Sequence, residues 1–273
     1  MSEIKAADVS KLRKVTGAGM MDCKVALQEA NGDFDKAIEI IRKKGQAIAN
    51  KRADRDAAEG AVLAKVDGSF GAMVCLACET DFVAKNESFV AFTQSILDAA
   101  IANKPENLEA LLALPFEGKT VAEKVIEQVG VIGEKLEIKF YDKINAPHVQ
   151  AYIHPGNKLA TLVGFSKTEV AEQVAKDVAM QVAAMDPVAV DKGDVPKETV
   201  DKEFEIGRDQ ALREGKPENI VDKIAEGRVA KFFKEATLLN QEFTKDAKIT
   251  IKQYLAQADK ELKVTGFIRF SLK

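Results

Sequence analysis

Asp81 and Phe82 set an acidic side chain beside a large aromatic one within the stretch Glu79-Thr-Asp-Phe-Val-Ala-Lys-Asn-Glu-Ser-Phe89. The run before it, Ala72-Met-Val-Cys-Leu-Ala77, is almost wholly apolar and predicts a buried strand. Residues 88–101 carry Phe89, Phe92, Ile96 and Ala99 at helical spacing. Asp81 and Phe82 therefore fall on the connection between strand and helix. A charged and an aromatic side chain held on a turn braced from both sides can probe another molecule's crevice, so their chemistry is recognition rather than bond making. Local sequence by itself leans toward a plainer alternative, in which Phe82 tucks under its own loop and Asp81 caps the helix.

Other residue patterns could do chemistry, and each has a stronger structural explanation. Thr16-Gly-Ala-Gly19 followed by Lys24 lacks the Gly-Lys-Ser/Thr ending of a phosphate loop and has no strand before it, so it reads as a turn between helices. Cys75-Leu-Ala-Cys78 has redox or metal spacing. On an extended strand, however, residues three apart point to opposite faces, and buried packing is the better account. His148 and His154 are the only histidines and have no Cys, His or acidic cluster at ligand spacing, which argues against a metal site. The basic run from Arg42 to Arg55 is offset by Asp54, Asp56 and Glu59 and contains no aromatic to stack on bases, so it reads as a solvated helix face. No nucleophile–base pair or carboxylate dyad emerges, and no catalytic residue, cofactor or metal ligand is assigned.

The bulk numbers point the same way. The chain has 273 residues, of which 46% are hydrophobic, enough for one large or two to three modest domains. Its 40 basic and 43 acidic side chains interleave to a formal charge of -3, which offers no strong field for nucleic acid or an anionic membrane. No apolar run approaches the roughly 20 residues that cross a bilayer, and the first residues lack a signal peptide's apolar segment. Only three cysteines occur. Together these features predict a cytoplasmic protein in a reducing compartment, with no membrane partner and no direct nucleic-acid partner.

Hydrophobic spacing predicts an α+β protein. Three short helices come first, packing through Val9 and Leu12, then Cys23, Ala26 and Leu27, then Ala37, Ile38 and Ile41. Asp33 is the candidate N-cap of the third helix, Lys43-Lys44-Gly45 its end, and residues 46–59 a helical linker. A hairpin around Asp67-Gly68, helices near 89–102, 108–114 and 120–128, and a strand at 136–140 follow. A second hairpin turns at Pro155-Gly156-Asn157. After it, Ser166 with Glu169 forms a capping-box pattern before Val170, Val174, Val178 and Val182. The order hairpin, connection, helix thus occurs twice and predicts two related α+β subdomains with antiparallel sheets. Two helix-compatible segments, one carrying Val200, Phe204 and Ala211 and the other Ile220, Ile224 and Phe232, then flank Glu214-Gly-Lys-Pro-Glu218, the pattern of a protruding antiparallel helical hairpin. A short helix around 251–255 and a strand at 264–272, expected to rejoin the second sheet, follow it. The implied segments are a three-helix bundle with linker (1–55), a first core subdomain (56–140), the start of a second (141–194), the hairpin (195–238) and the remainder of the second (239–273).

Two blocks, Leu12-Arg-Lys-Val-Thr-Gly-Ala-Gly-Met-Met-Asp-Cys-Lys-Val-Ala-Leu27 and Thr80-Asp-Phe-Val-Ala-Lys85, resemble the signature segments of the bacterial translation elongation factor Ts family. The likeness continues through His154-Pro-Gly-Asn-Lys-Leu159, Glu226-Gly-Arg228, Gln241-Glu-Phe243 and Val264-Thr-Gly-Phe-Ile-Arg-Phe270. The resemblance implies that the N-terminal bundle is of the ubiquitin-associated (UBA) type. It also implies a protein that binds the GTPase elongation factor Tu and promotes GDP release, without bond chemistry of its own. By matching motifs it implies partner contacts from Thr80, Asp81, Phe82 and Val83, and from Lys24, Ile132, Gly133 and His154. Departures are Gln181, where relatives often carry a histidine, Thr244-Lys245 after Phe243, and the end at Lys273, where some relatives add a helical tail. The reading admits a monomer or a homodimer. The competing reading is a UBA-type adaptor or chaperone that binds another protein or a ribosomal component without exchange activity.

With no phosphate-cradling motif, the isolated chain is expected to show no saturable micromolar binding of GDP when titrated calorimetrically. A measurable binding isotherm would contradict this.

Overall fold

A computed structural model of the chain describes residues 4–272. It opens on helices α1 (Ala6–Thr16), α2 (Met20–Glu29) and α3 (Phe34–Lys51), which bury Leu12, Cys23, Ala26, Leu27 and Ala37 against one another. Asp33 caps α3 by accepting from the Lys36 amide at 3.1 Å. The expected end of α3 at Lys43-Lys44-Gly45 is overturned: the helix runs on to Lys51 and takes in the first part of the expected linker. Gly45 serves a crossing instead of a cap. It faces Gly130 on a later helix, where a Cβ would stand 2.9 Å from the Gly45 Cα. Without side chains at this point, the two helices approach nearly backbone to backbone.

The first sheet begins with the hairpin β1 (Glu59–Asp67) and β2 (Phe70–Cys78), paired from Glu59 opposite Cys78 to Asp67 opposite Phe70. A single helical turn, α4 (Asp81–Ala84), leads to α5 (Glu87–Asn103) and α6 (Leu108–Ala113). The small hairpin β3 (Pro115–Phe116) and β4 (Lys119–Thr120) then leads to α7 (Val121–Ile132). Strand β5 (Glu137–Asn145) returns beside β2, giving the order β1-β2-β5. The second sheet repeats this plan. Its hairpin β6 (His148–Ile153) and β7 (Leu159–Phe165) is followed by α8 (Glu172–Met185), the helical pair α9 (Lys197–Arg213) and α10 (Glu218–Ala236), the short hairpin β8 (Glu242–Phe243) and β9 (Asp246–Thr250), and α11 (Ile251–Ala258). Strand β10 (Val264–Ser271) then pairs with β7, giving β10-β7-β6. In both sheets the second hairpin strand is central and the later strand joins it antiparallel.

The sheets pack face to face between two helical layers. Val62, Ala64, Met73 and Cys75 of the first sheet meet Val149, Ala160 and Leu162 of the second, together with Leu272. Phe140 on β5 stacks on Phe270 on β10 with ring centroids 4.3 Å apart. The other face of the first sheet, with Phe70, Val74 and Leu76, is covered by Phe89, Ile96 and Leu97 of α5 and by Val125 and Val129 of α7. Val178 and Val182 of α8 and Ile251 and Leu255 of α11 cover the second sheet through Val163 and Phe165. Every residue of β2 is buried, which is why its sequence shows no polar alternation.

Two further expectations are corrected. The helix after the second hairpin starts at Glu172, and Ser166 with Glu169 does not cap it. Instead Ser166 prolongs the pairing of β7 with the approach to β10: its amide donates to the Lys263 carbonyl at 2.9 Å and its hydroxyl accepts from the Lys263 amide at 3.0 Å. Ladder hydrogen bonds thus hold a residue that the local pattern assigns to a cap. In the α9–α10 pair the seam runs through Gly207 and Ala211 against Val221 and Ala225, whereas Ile220 and Ile224 lie on the surface at 38% and 36% exposure. A Cβ on Gly207 would stand 2.9 Å from the Ala225 Cα, so the helices meet through their smallest residues and the isoleucines are displaced to the flank. Among the described residues no helix is long and apolar enough to cross a membrane.

Because the Gly130 Cβ position is already occupied by backbone, Gly130→Ala is expected to cost about 1–3 kcal/mol, the usual penalty of forced overpacking. Urea unfolding measures it, and an unchanged midpoint would show that α3 and α7 can separate without cost.

Candidate partner-binding site

Strand β2 ends at Cys78, whose thiol donates to the Thr80 carbonyl at 3.2 Å. Thr80 has extended backbone, and its hydroxyl accepts from the Val83 amide, which makes it the cap of α4. Asp81 therefore opens the helical turn, and Phe82 follows at its outer side. The Phe82 ring is 85% exposed, while Ala84 and Phe89 on either side of the Lys85–Ser88 link are buried. Neither part of the plainer alternative holds: Phe82 is not tucked under its loop, α4 is capped by Thr80, and α5 is capped by Asn86, which accepts from the Ser88 amide at 2.9 Å. The Asp81 carboxylate takes a hydrogen bond from the Lys85 ammonium at 2.6 Å. Lys85, and at longer range Lys158, hold the Asp81 carboxyl below the usual carboxylate range.

The turn that follows α7 braces this segment. Gly133 ends the helix in the left-handed region with φ 79°, and Glu134 then turns back toward β2. One Glu134 oxygen accepts from the Glu79 and Thr80 amides at 3.1 and 3.0 Å, and the other accepts from the Thr80 hydroxyl at 2.6 Å. In return, the Glu79 carboxylate accepts from the Lys135 amide and from the Arg52 guanidinium, each at 2.7 Å. The Lys135 amide, and after it Arg52, hold the Glu79 carboxyl below its ordinary value against the opposing effect of burial.

The turn after β6 reaches the same end of the molecule. The Asn157 carbonyl accepts from the Val62 amide at 2.6 Å, and Lys158 pairs with Glu59 at 2.7 Å, the residue opposite Cys78 in the first hairpin. His154 is exposed there, its Nδ1 2.9 Å from the Tyr152 hydroxyl. Hydrogen bonds thus join the turn that follows Ile132 and Gly133 to the turn at 80–83, and Lys158 brings the end of the 154–158 turn near Glu59 and Asp81. Among the described residues the one side-chain partner of His154 is Tyr152, within its own hairpin. Lys24 lies apart, exposed on α2 of the bundle beside the exposed Met20, Met21 and Val25.

Sequence reasoning missed two sets of residues. Glu79, Glu134 and Arg52 act across long separations, and nothing local marks them. Met20 and Met21 do carry a signal, because they are large apolar residues outside the Cys23, Ala26 and Leu27 stripe of their own helix. Gln181 is fully buried: its amide nitrogen donates to the Gln241 side chain and the Glu242 carbonyl, and its oxygen accepts from the Thr244 amide at 3.0 Å. Lys245 pairs with the buried Asp177 at 2.6 Å. Of these departures from the family pattern, Gln181 is internal and ties α8 to β8 and the turn after it, whereas Thr244 and Lys245 are exposed on that turn.

The family profile described as Elongation factor TS matches residues 79–273, beginning at the first residue of this site. The chain is 54% identical over 266 residues to Elongation factor Ts of Porphyromonas gingivalis, with 97% of each chain covered. It is 50% identical over 275 residues to Elongation factor Ts of Christiangramia forsetii, with 100% of each covered. With Elongation factor Ts of Bacteroides fragilis it shares 45% identity over 327 aligned positions, covering 99% of each.

Among the described residues no group of three His, Cys, Asp or Glu side chains could hold a metal ion. Cys75 packs between the sheets and Cys78 against α5, on opposite faces of β2. Burial pushes both thiols up to about 12, so neither is a thiolate near neutral pH. Native alkylation with iodoacetamide at pH 8 is expected to leave both unmodified, and denaturant is expected to make both reactive. Rapid labelling of either in the folded chain would restore a redox role.

Proposed function

The chain belongs to the elongation factor Ts family of translation elongation factors, and from that premise we propose that it is a guanine nucleotide exchange factor for elongation factor Tu. The observation that carries the reading is Phe82, a large aromatic ring held almost fully in solvent on a turn that is capped, clamped and backed by buried neighbours. A free protein gains nothing from such exposure. A partner with an apolar crevice does.

Exchange is a linkage problem. The factor and GDP must weaken each other's binding to the GTPase, and the coupling is reciprocal. An effect of about 10⁴-fold requires roughly 5.5 kcal/mol of differential contact. Burying one phenylalanine contributes about 1.5–3 kcal/mol, so Phe82 wedged between helices of the GTPase domain cannot act alone. Asp81 adds negative charge beside it, directed at the region that holds magnesium and phosphate in the partner. Thr80, Val83, Ile132, Gly133 and His154 widen the contact around the wedge. Lys24, with Met20 and Met21 exposed next to it, supplies a second contact from the bundle. On this reading 1–55 is the second gripping element, 56–140 carries the wedge, 141–194 and 239–273 carry the His154 turn and support it, and 195–238 is an accessory arm. The work is done in the cytoplasm on a protein partner, with no bond made or broken and no direct contact to nucleic acid.

Phe82→Ala is expected to slow factor-stimulated GDP release about 10- to 150-fold, the rate equivalent of the burial lost. Stability should stay within about 0.5 kcal/mol, because the ring packs on nothing in the free chain. Stopped-flow release of fluorescent GDP from elongation factor Tu, read beside thermal unfolding, separates the possibilities. Undiminished exchange by the folded variant would remove the wedge.

A further inference from the structure

We infer that Glu134 and Glu79 form a crossed clasp whose role is to position the Asp81–Phe82 turn for the exchange reaction proposed above. Helix α4 has only four residues, too few to hold a helical turn in water without outside support. Phe82, being exposed, cannot locate itself by packing. Val83 and Ala84 rest on the core at the far end of the turn, so the direction in which the ring points is set by the backbone of 79–82 leading into it, and that stretch is held by polar groups from outside.

Glu134 provides the hold. Both of its oxygens are used, taking the Glu79 and Thr80 amides and the Thr80 hydroxyl within 3.1 Å. Glu79 returns the bond by accepting from the Lys135 amide, so each glutamate fixes the backbone next to the other. Arg52 holds the second bond to Glu79 and stands at the C-terminal end of α3, the helix that also carries the bundle. The clasp sits outside the hydrophobic core, which retains Cys78, Ala84 and Phe89 on its own. Its physical output is therefore orientation: a wedge already fixed in the free protein does not lose conformational freedom on binding.

A double-mutant cycle tests this on the full chain with elongation factor Tu and fluorescent GDP. Glu134→Ala is expected to lower the maximal rate of stimulated GDP release roughly 10-fold, the scale of coupling between contacting residues. In a Phe82→Ala background the same change should cost less than about twofold, since the residue acts through the wedge. Glu134→Gln, which keeps one acceptor oxygen but presents an amide to the donors, should fall between wild type and Glu134→Ala. Hydrogen exchange on the free protein supplies a readout independent of the partner: the Glu79 and Thr80 amides should lose protection in Glu134→Ala while the amides of β2 keep theirs. Equal losses of rate in both backgrounds, or loss of protection throughout β2, would assign Glu134 a merely structural role and overturn the inference. An active wild type in which Glu134→Ala changes nothing overturns the clasp alone. A wild type inert toward elongation factor Tu overturns the exchange reading and the clasp's role together.

Discussion

Strand β2 has no face that water can touch. Its nine residues are buried throughout, so the chain must cover it twice, with α5 and α7 on one side and the second sheet on the other. This requirement makes the molecule a four-layer stack, and it sets where function can sit. Side chains on the faces of β2 are committed to packing, and only the strand's end, where the backbone leaves the stack at Cys78, can present a residue outward. Phe82 stands four residues beyond that exit, on the first turn that both layers leave uncovered.

The same constraint explains why the site is assembled from turns. Three connections converge at one end of the sheets, one leaving β2, one entering β5 and one linking β6 to β7. None has a core of its own: Val83, Ala84 and Ile132 rest on the core of the first subdomain, and the ties from one turn to another are polar, carboxylates on backbone amides and Lys158 on Glu59. Charge-assisted bonds of this kind are directional, which suits the placing of a side chain better than packing does. They also leave the outer surface free, so rigidity of the turn and exposure of Phe82 coexist.

Helix crossings in this chain repeatedly use the smallest residues. Gly45 meets Gly130 where the bundle docks on the first subdomain, and Gly207 meets Ala225 where the long helices pair. In both places the close approach decides features that the local pattern assigns otherwise: α3 continues past its expected end, and Ile220 and Ile224 lie outside the seam. The two isoleucines are then left on the flank of the long pair, about two thirds covered, and not in its seam.

The long strands and helices and their order were legible from periodicity, as in the apolar run of β2 and the spacing of Val174, Val178 and Val182 in α8, whereas the single turn α4 and the short hairpins β3–β4 and β8–β9 are too brief to show a period. The motif Thr80-Asp-Phe-Val-Ala-Lys85 likewise marked the family and supplied the candidate site. Local sequence could not decide whether Phe82 faces core or solvent, since an aromatic on a connection suits either; that depended on what else covers the turn. Nor could it show that Ser166 belongs to a ladder with Lys263, that Gln181 is internal, or that Glu134 holds Thr80 from 54 residues away. The sequence by itself determined which segments form elements and which family they build, because those properties follow from neighbours along the chain. The tertiary structure alone decided which polar groups find one another, because a hydrogen bond depends on distance in space and the partners here are joined only by the fold.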